Sequence, residues 1–78
     1  MHRPKNKDLR FLISNRLITI FGKDTNAIVA AKINVTESQV SQYKRNLSTP
    51  GIETLFDIAV TYNASLDYIF NLKDEIKT

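Results

Sequence analysis

The sequence predicts an all-α fold, a compact arrangement of five helices, and three observations lead there. Apolar residues recur three and four apart in successive short stretches, the period of one helix face. Thr25, Thr36 and Ser65 stand just ahead of such stretches, and Asn34, Asn46 and Asn63 stand just after them. Side-chain oxygens favour helix starts, while Asn tolerates the left-handed backbone of a helix end. With two Gly and two Pro in 78 residues, connections should be short. A chain of this length forms one small domain that buries about 60–65% of its unfolded surface.

Residues 1–6 carry His2, Arg3, Pro4 and Lys5 and read as a basic arm. The arm suits a phosphate or minor-groove contact, or is simply a solvated terminus. His2 is given no role as ligand or base. The domain proper spans 7–70. Its first helix runs from Lys7 to about Ile20, with Leu9, Leu12, Ile13, Leu17 and Ile20 on one face. Phe11 and Ile18, seven apart, are expected to widen the core. Phe21 to Asp24 is the connection, with Gly22 as the stop.

Thr25 starts the second helix, where Val29 and Ile33 share a face and Ala30 allows close approach. Asn34 ends it, and Val35 is the apolar residue of a tight turn. Thr36 and Gln39 have capping-box spacing at the start of the third helix, about 37–45. Val40 and Tyr43 point inward there, so Glu37, Ser38, Ser41 and Gln42 are left outward or flanking. Leu47 to Pro50 forms a loop. Ile52, Leu55, Ala59 and Tyr62, with Ile58 alongside, mark the inner face of a fourth helix. Ser65 caps a last short helix with Leu66, Ile69 and Phe70 inward. Residues 71–78 form a charged tail, helical at most to Ile76.

Composition narrows the function. There is no cysteine, so neither a disulfide nor a thiolate metal site is possible, which fits a reducing, cytoplasmic location. No apolar run is long enough for a membrane span. A single terminal His, no Gly-rich phosphate loop and no spaced metal cluster argue against an enzyme. No cofactor or small-molecule pocket is indicated. The charge of +3 divides unevenly: residues 1–45 carry +6 and residues 46–78 carry −3. The basic half holds the two-helix motif and would attract phosphate, or the imbalance serves solubility alone.

From Thr25 to Phe70 the chain resembles, in register, the helix-turn-helix domain of the lambdoid phage repressors, the Cro proteins and their bacterial relatives. The resemblance rests on Thr25-Asn26, Val29-Ala30, Ile33-Asn34-Val35, Val40, Tyr43, the run Pro50 to Leu55, Ile58-Ala59 and the run Asn63 to Phe70. It implies a lambda-repressor-like DNA-binding domain, usually dimeric, that regulates transcription. Lys44 stands where many members have a Glu paired with an Arg of the first helix, so that ion pair should be absent or replaced. The connection between the first two helices also looks longer than usual.

By that resemblance the third helix enters the major groove of double-stranded DNA. Glu37, Ser38, Gln39 and Gln42 are the expected base contacts: Gln42 suits adenine, Glu37 suits cytosine, and capping competes for Gln39. Asn26, Thr36, Ser41, Lys44, Arg45 and Ser48 are the expected phosphate contacts. A homodimer on a pseudo-palindromic operator follows, with Tyr68, Leu72 and Ile76 as its expected surface. Two rival readings keep the fold: a protein-binding regulator of antirepressor or antitoxin type, and the DNA-binding piece of a longer repressor.

Overall fold

The computed structural model describes residues 6–76, with side chains from Asp8 onward, and these residues form five helices and no strand. They are α1 (Asn6–Phe21), α2 (Asn26–Ile33), α3 (Glu37–Lys44), α4 (Ile52–Thr61) and α5 (Leu66–Ile69). The expected basic arm lies outside the described residues except for Asn6, the first residue of α1. Lys77 and Thr78 of the tail lie outside them as well. No helix among the described residues is long and apolar enough to cross a membrane.

The largest fully buried side chains are Leu17, Phe21, Val29, Val40, Ile58 and Ile69, contributed by all five helices. Each contributes about 1.5–3 kcal/mol of burial energy, which is what holds such short helices in place. α1 packs on α3 and α5, α2 packs on α3 and α4, and α4 packs on α5. Phe21, expected in the connection, is instead the last residue of α1 and a core residue. Its ring lies 5.6 Å from that of Tyr62.

The ends of the helices follow their side chains. Thr25 Oγ1 accepts from the Ile28 amide, and Ser65 Oγ accepts from the Asp67 amide. Gly22, Asn34, Asn46, Asn63 and Asn71 all have positive φ, between 51° and 62°. Asn is the residue with a side chain that enters this region at least cost. The three expected Asn stops are therefore observed, together with a fourth at Asn71.

Several expected core positions are on the surface. Phe11 and Ile18 are exposed, because each lies about 100° or more around α1 from Leu17, outside the arc that Ile13, Leu17 and Ile20 turn to the core. Ile52 is 83% exposed. The inner face of α4 is centred on Leu55, Ile58 and Tyr62, and a three-residue step carries Ile52 away from it toward Phe56 and Val60. Leu66 is also exposed, since Ser65, Tyr68 and Ile69 form the inward side of α5.

The dimer surface expected at the C-terminal end needs the same correction. Tyr68 is buried beneath the Arg16 guanidinium, whose Cζ lies 4.1 Å from the ring centre. Ile76 is partly buried against the core, and only Leu72 of the three is exposed. The tail is not helical between 71 and 76. It folds back, with the Ser65 amide donating to the Ile76 carbonyl at 2.7 Å and Arg16 donating to Asn71 Oδ1.

Candidate nucleic-acid interface

α2 and α3 are joined by Asn34, Val35 and Thr36, and three local devices shape the turn. Asn34 adopts φ 57°, ψ 50°, the left-handed cap that stops α2. The Val35 amide then donates to the Ala30 carbonyl, and Val35 packs against the core. Thr36 opens α3 with a complete capping box. The Gln39 amide donates to Thr36 Oγ1 at 3.0 Å, and the Thr36 amide donates to Gln39 Oε1 at 2.9 Å.

Burial divides the faces of α3. Val40 and Tyr43 are buried, whereas Glu37, Ser38, Gln39 and Gln42 are exposed. The outward face of α3 from Glu37 to Gln42 is thus polar throughout. Gln42 Nε2 lies 3.5 Å from Ser38 Oγ, at the limit of a hydrogen bond, so a better partner displaces it readily. Gln39 differs, because its carbonyl oxygen is already engaged by the cap.

Of the expected phosphate contacts, Thr36 and Arg45 are exposed, while Asn26, Ser41, Lys44 and Ser48 are half-buried. Thr36 is occupied by the cap. Asn26 and Lys44 are brought together: the Lys44 ammonium donates to Asn26 Oδ1 at 2.7 Å. This contact leaves the amide hydrogens of Asn26 and the remaining ammonium hydrogens of Lys44 as donors beside the start of α2. A helix start carries unpaired amides and partial positive charge, and these two side chains stand beside it.

The sequence reading missed Ser14. This buried residue of α1 donates its hydroxyl to the Tyr43 carbonyl at 2.7 Å and lies 3.1 Å from the Lys44 carbonyl. Those are carbonyls of the last turn of α3, which have no partner within their own helix. Ser14 therefore fixes the far end of α3 to α1, while the Lys44 side chain, where the ion pair was expected to be absent or replaced, bonds Asn26. A signal existed: Ser14 stands three residues before Leu17 and seven before Phe21, a polar residue on an inward stripe.

A second polar cluster ties α2 to its surroundings. Asp24 Oδ2 accepts from Lys32 Nζ at 2.7 Å and from the Tyr62 hydroxyl at 2.9 Å. The Lys32 contact first, and then that of Tyr62, hold the Asp24 carboxyl below its ordinary pKa. Burial, with the Asp24 contact and charge, pushes the Tyr62 hydroxyl from 10.0 up to about 12. The Lys32–Asp24 pair is partly exposed, so its contribution lies in geometry more than in energy.

Two short helices at a tight turn, with a polar outer face on the second and an apolar inner one, define a helix-turn-helix unit. The chain belongs to the helix-turn-helix family HTH_3, of Cro/CI type, which matches residues 27–69. It is also similar to the HTH-type transcriptional regulator ImmR of Bacillus subtilis (strain 168), 35% identical over 52 residues. The similarity covers 67% of this chain and 40% of that regulator. No solved structure matches the chain significantly.

Proposed function

We propose that this protein is a sequence-specific double-stranded DNA-binding regulator of transcription, a repressor of phage or bacterial type acting in the cytoplasm. The observation that carries this reading is the division of α3: Val40 and Tyr43 inward, Ser38 and Gln42 outward, both ends secured by Thr36 and Ser14. A rigid, pre-positioned polar helix face is what direct readout of a major groove needs. Family membership and the similarity to a Bacillus transcriptional regulator support this reading.

In this reading Gln42 makes a bidentate bond to adenine, Glu37 accepts from cytosine and Ser38 bonds a base or a neighbouring phosphate. Gln39 offers mainly its amide hydrogens, because its oxygen serves Thr36. Asn26 and Lys44 together hold one phosphate. Arg45, Ser41, Ser48 and the Thr36 end of α3 flank others and set register without reading sequence. One domain covers one half-site, so a two-fold homodimer on a pseudo-palindrome is proposed, with half-site centres about 34–36 Å apart.

The test is selection of bound sequences from random duplexes, followed by titration of the selected duplex at two salt concentrations. The reading requires a two-fold motif and affinity that falls steeply as salt rises. Recovery of no motif, or binding indifferent to salt, overturns it.

A further inference from the structure

The most conspicuous exposed apolar surface lies on α4. Ile52, Phe56 and Val60 are 83%, 59% and 64% exposed and follow one another at four-residue spacing, one above the next along the helix. Leu66 of α5 borders them across a groove of about 480 Å³ lined by Phe56, Val60, Ala64 and Asp67 among others. Ile52, Phe56, Val60 and Leu66 serve neither the core nor the DNA-facing side of α3. Four residues of this size, exposed to this degree, present on the order of 500 Å² of apolar surface, at the upper end of what soluble monomers carry.

We propose that this strip is covered by the same strip of a second copy, the two α4 helices crossing antiparallel about a two-fold axis at Phe56. The proposal rests on the dimeric part of the function proposed above and names its surface. Two features favour a second copy. A two-fold interface must be self-complementary. An Ile–Phe–Val strip is so: reversed on itself about Phe56, it sets Ile52 against the other copy's Val60, apolar on apolar at each level. The area also fits, since an interface of standard size buries about 800 Å² per copy and homodimer interfaces are about 65% apolar. The strip alone supplies that apolar share.

Charge opposes the pairing at low salt and so supplies a test. Glu53 and Asp57 run along one edge of the strip, and no Lys or Arg occurs anywhere from Asn46 to Leu72. In the antiparallel arrangement the acids of both copies stay at the solvent edge, on the same side. Their mutual repulsion is screened by salt, so self-association strengthens as salt rises. A basic partner helix on the same strip would weaken with salt, and so does DNA binding. The sign of the salt effect therefore separates self-association from the other two.

The register is tested with single cysteines, since the chain has none of its own. Under mild oxidation, Phe56→Cys should link to itself. Ile52→Cys and Val60→Cys should link to each other when mixed, and neither should link readily to itself. In sedimentation equilibrium the wild type, 8.9 kDa, should approach twice that mass as concentration and salt rise. Phe56→Glu should remain monomeric, and Leu72→Ser should behave as wild type. Phe56 is exposed, so Phe56→Glu should keep the helical circular dichroism and cooperative unfolding of the wild type.

A wild type that dimerises with Phe56→Glu unaffected overturns this surface but leaves the dimer. Persistent one-to-one stoichiometry on a palindromic duplex overturns both. A monomer that binds a synthetic helix with Leu on one face and Lys on its flanks, less tightly at high salt, assigns the strip to a basic partner and overturns the second copy.

Discussion

Ser38 and Gln42 hold their polar atoms in solvent, loosely paired at 3.5 Å, whereas Gln39 spends its oxygen on the helix cap. The proposed readout therefore falls chiefly on Gln42. Gln42→Ala should cost about 1–3 kcal/mol against the preferred base and relax selection at that one position, as competition between duplexes will show. Lys44→Ala should instead weaken all sequences alike and lower the salt slope by about one. Ser14 acts from behind the site. Its removal leaves the Tyr43 carbonyl only the longer bond from the Asn46 amide at 3.3 Å, so Ser14→Ala should lower unfolding free energy by about 1 kcal/mol in a urea titration.

At the scale of the element, α2 to α5 are too short to persist alone, and their ends decide where they lie. Thr36→Ala removes a capping box and should cost about 1 kcal/mol in thermal unfolding. Asn34→Ala should cost a similar amount, because a methyl-bearing residue must then hold φ 57° without the local help of the Asn side chain. The Asp24–Lys32–Tyr62 cluster makes stability depend on pH in two windows. Asp24 is held below its ordinary value in the folded state. Its contribution is present above the unfolded aspartate pKa and is lost as pH falls through the lower folded one. Tyr62 is raised, so its contribution is full below 10.0 and disappears as pH climbs toward about 12. Asp24→Asn should flatten the acid limb and reduce the alkaline one, as urea midpoints measured across pH will report.

These elements also show what could be read beforehand. Thr25, Thr36 and Ser65 as starts, and Asn34, Asn46 and Asn63 as stops, were legible because capping acts within four residues of chain. The inner faces of α2 and α3 were legible for a related reason, since one stripe dominates each. α4 carries two apolar stripes, Leu55–Ile58–Tyr62 and Ile52–Phe56–Val60. Periodicity alone does not say which meets the core, so Ile52 was misplaced. Tyr68 was misplaced because α5 is a single turn, too short for spacing to define its inward side. The Lys44–Asn26 contact spans 18 residues and the Ser14 contact 29, beyond what local patterns reach.

On the scale of the whole molecule, charge and apolar surface are separated. The positive half carries α2 and α3 and suits phosphate, while the stretch from Asn46 to Leu72 has no basic residue and carries the exposed strip of α4. Opposite responses to salt follow, with DNA affinity falling and self-association rising. The central claim, that the outer face of α3 is the surface placed against DNA, is tested most directly by following backbone and side-chain amide resonances while a selected duplex is added. The account predicts the largest shifts at Ser38, Gln42 and Lys44, with Asn26 at the start of α2 moving in step. Resonances of α3 that stay still while those around Phe11 and Ile18 shift would contradict it.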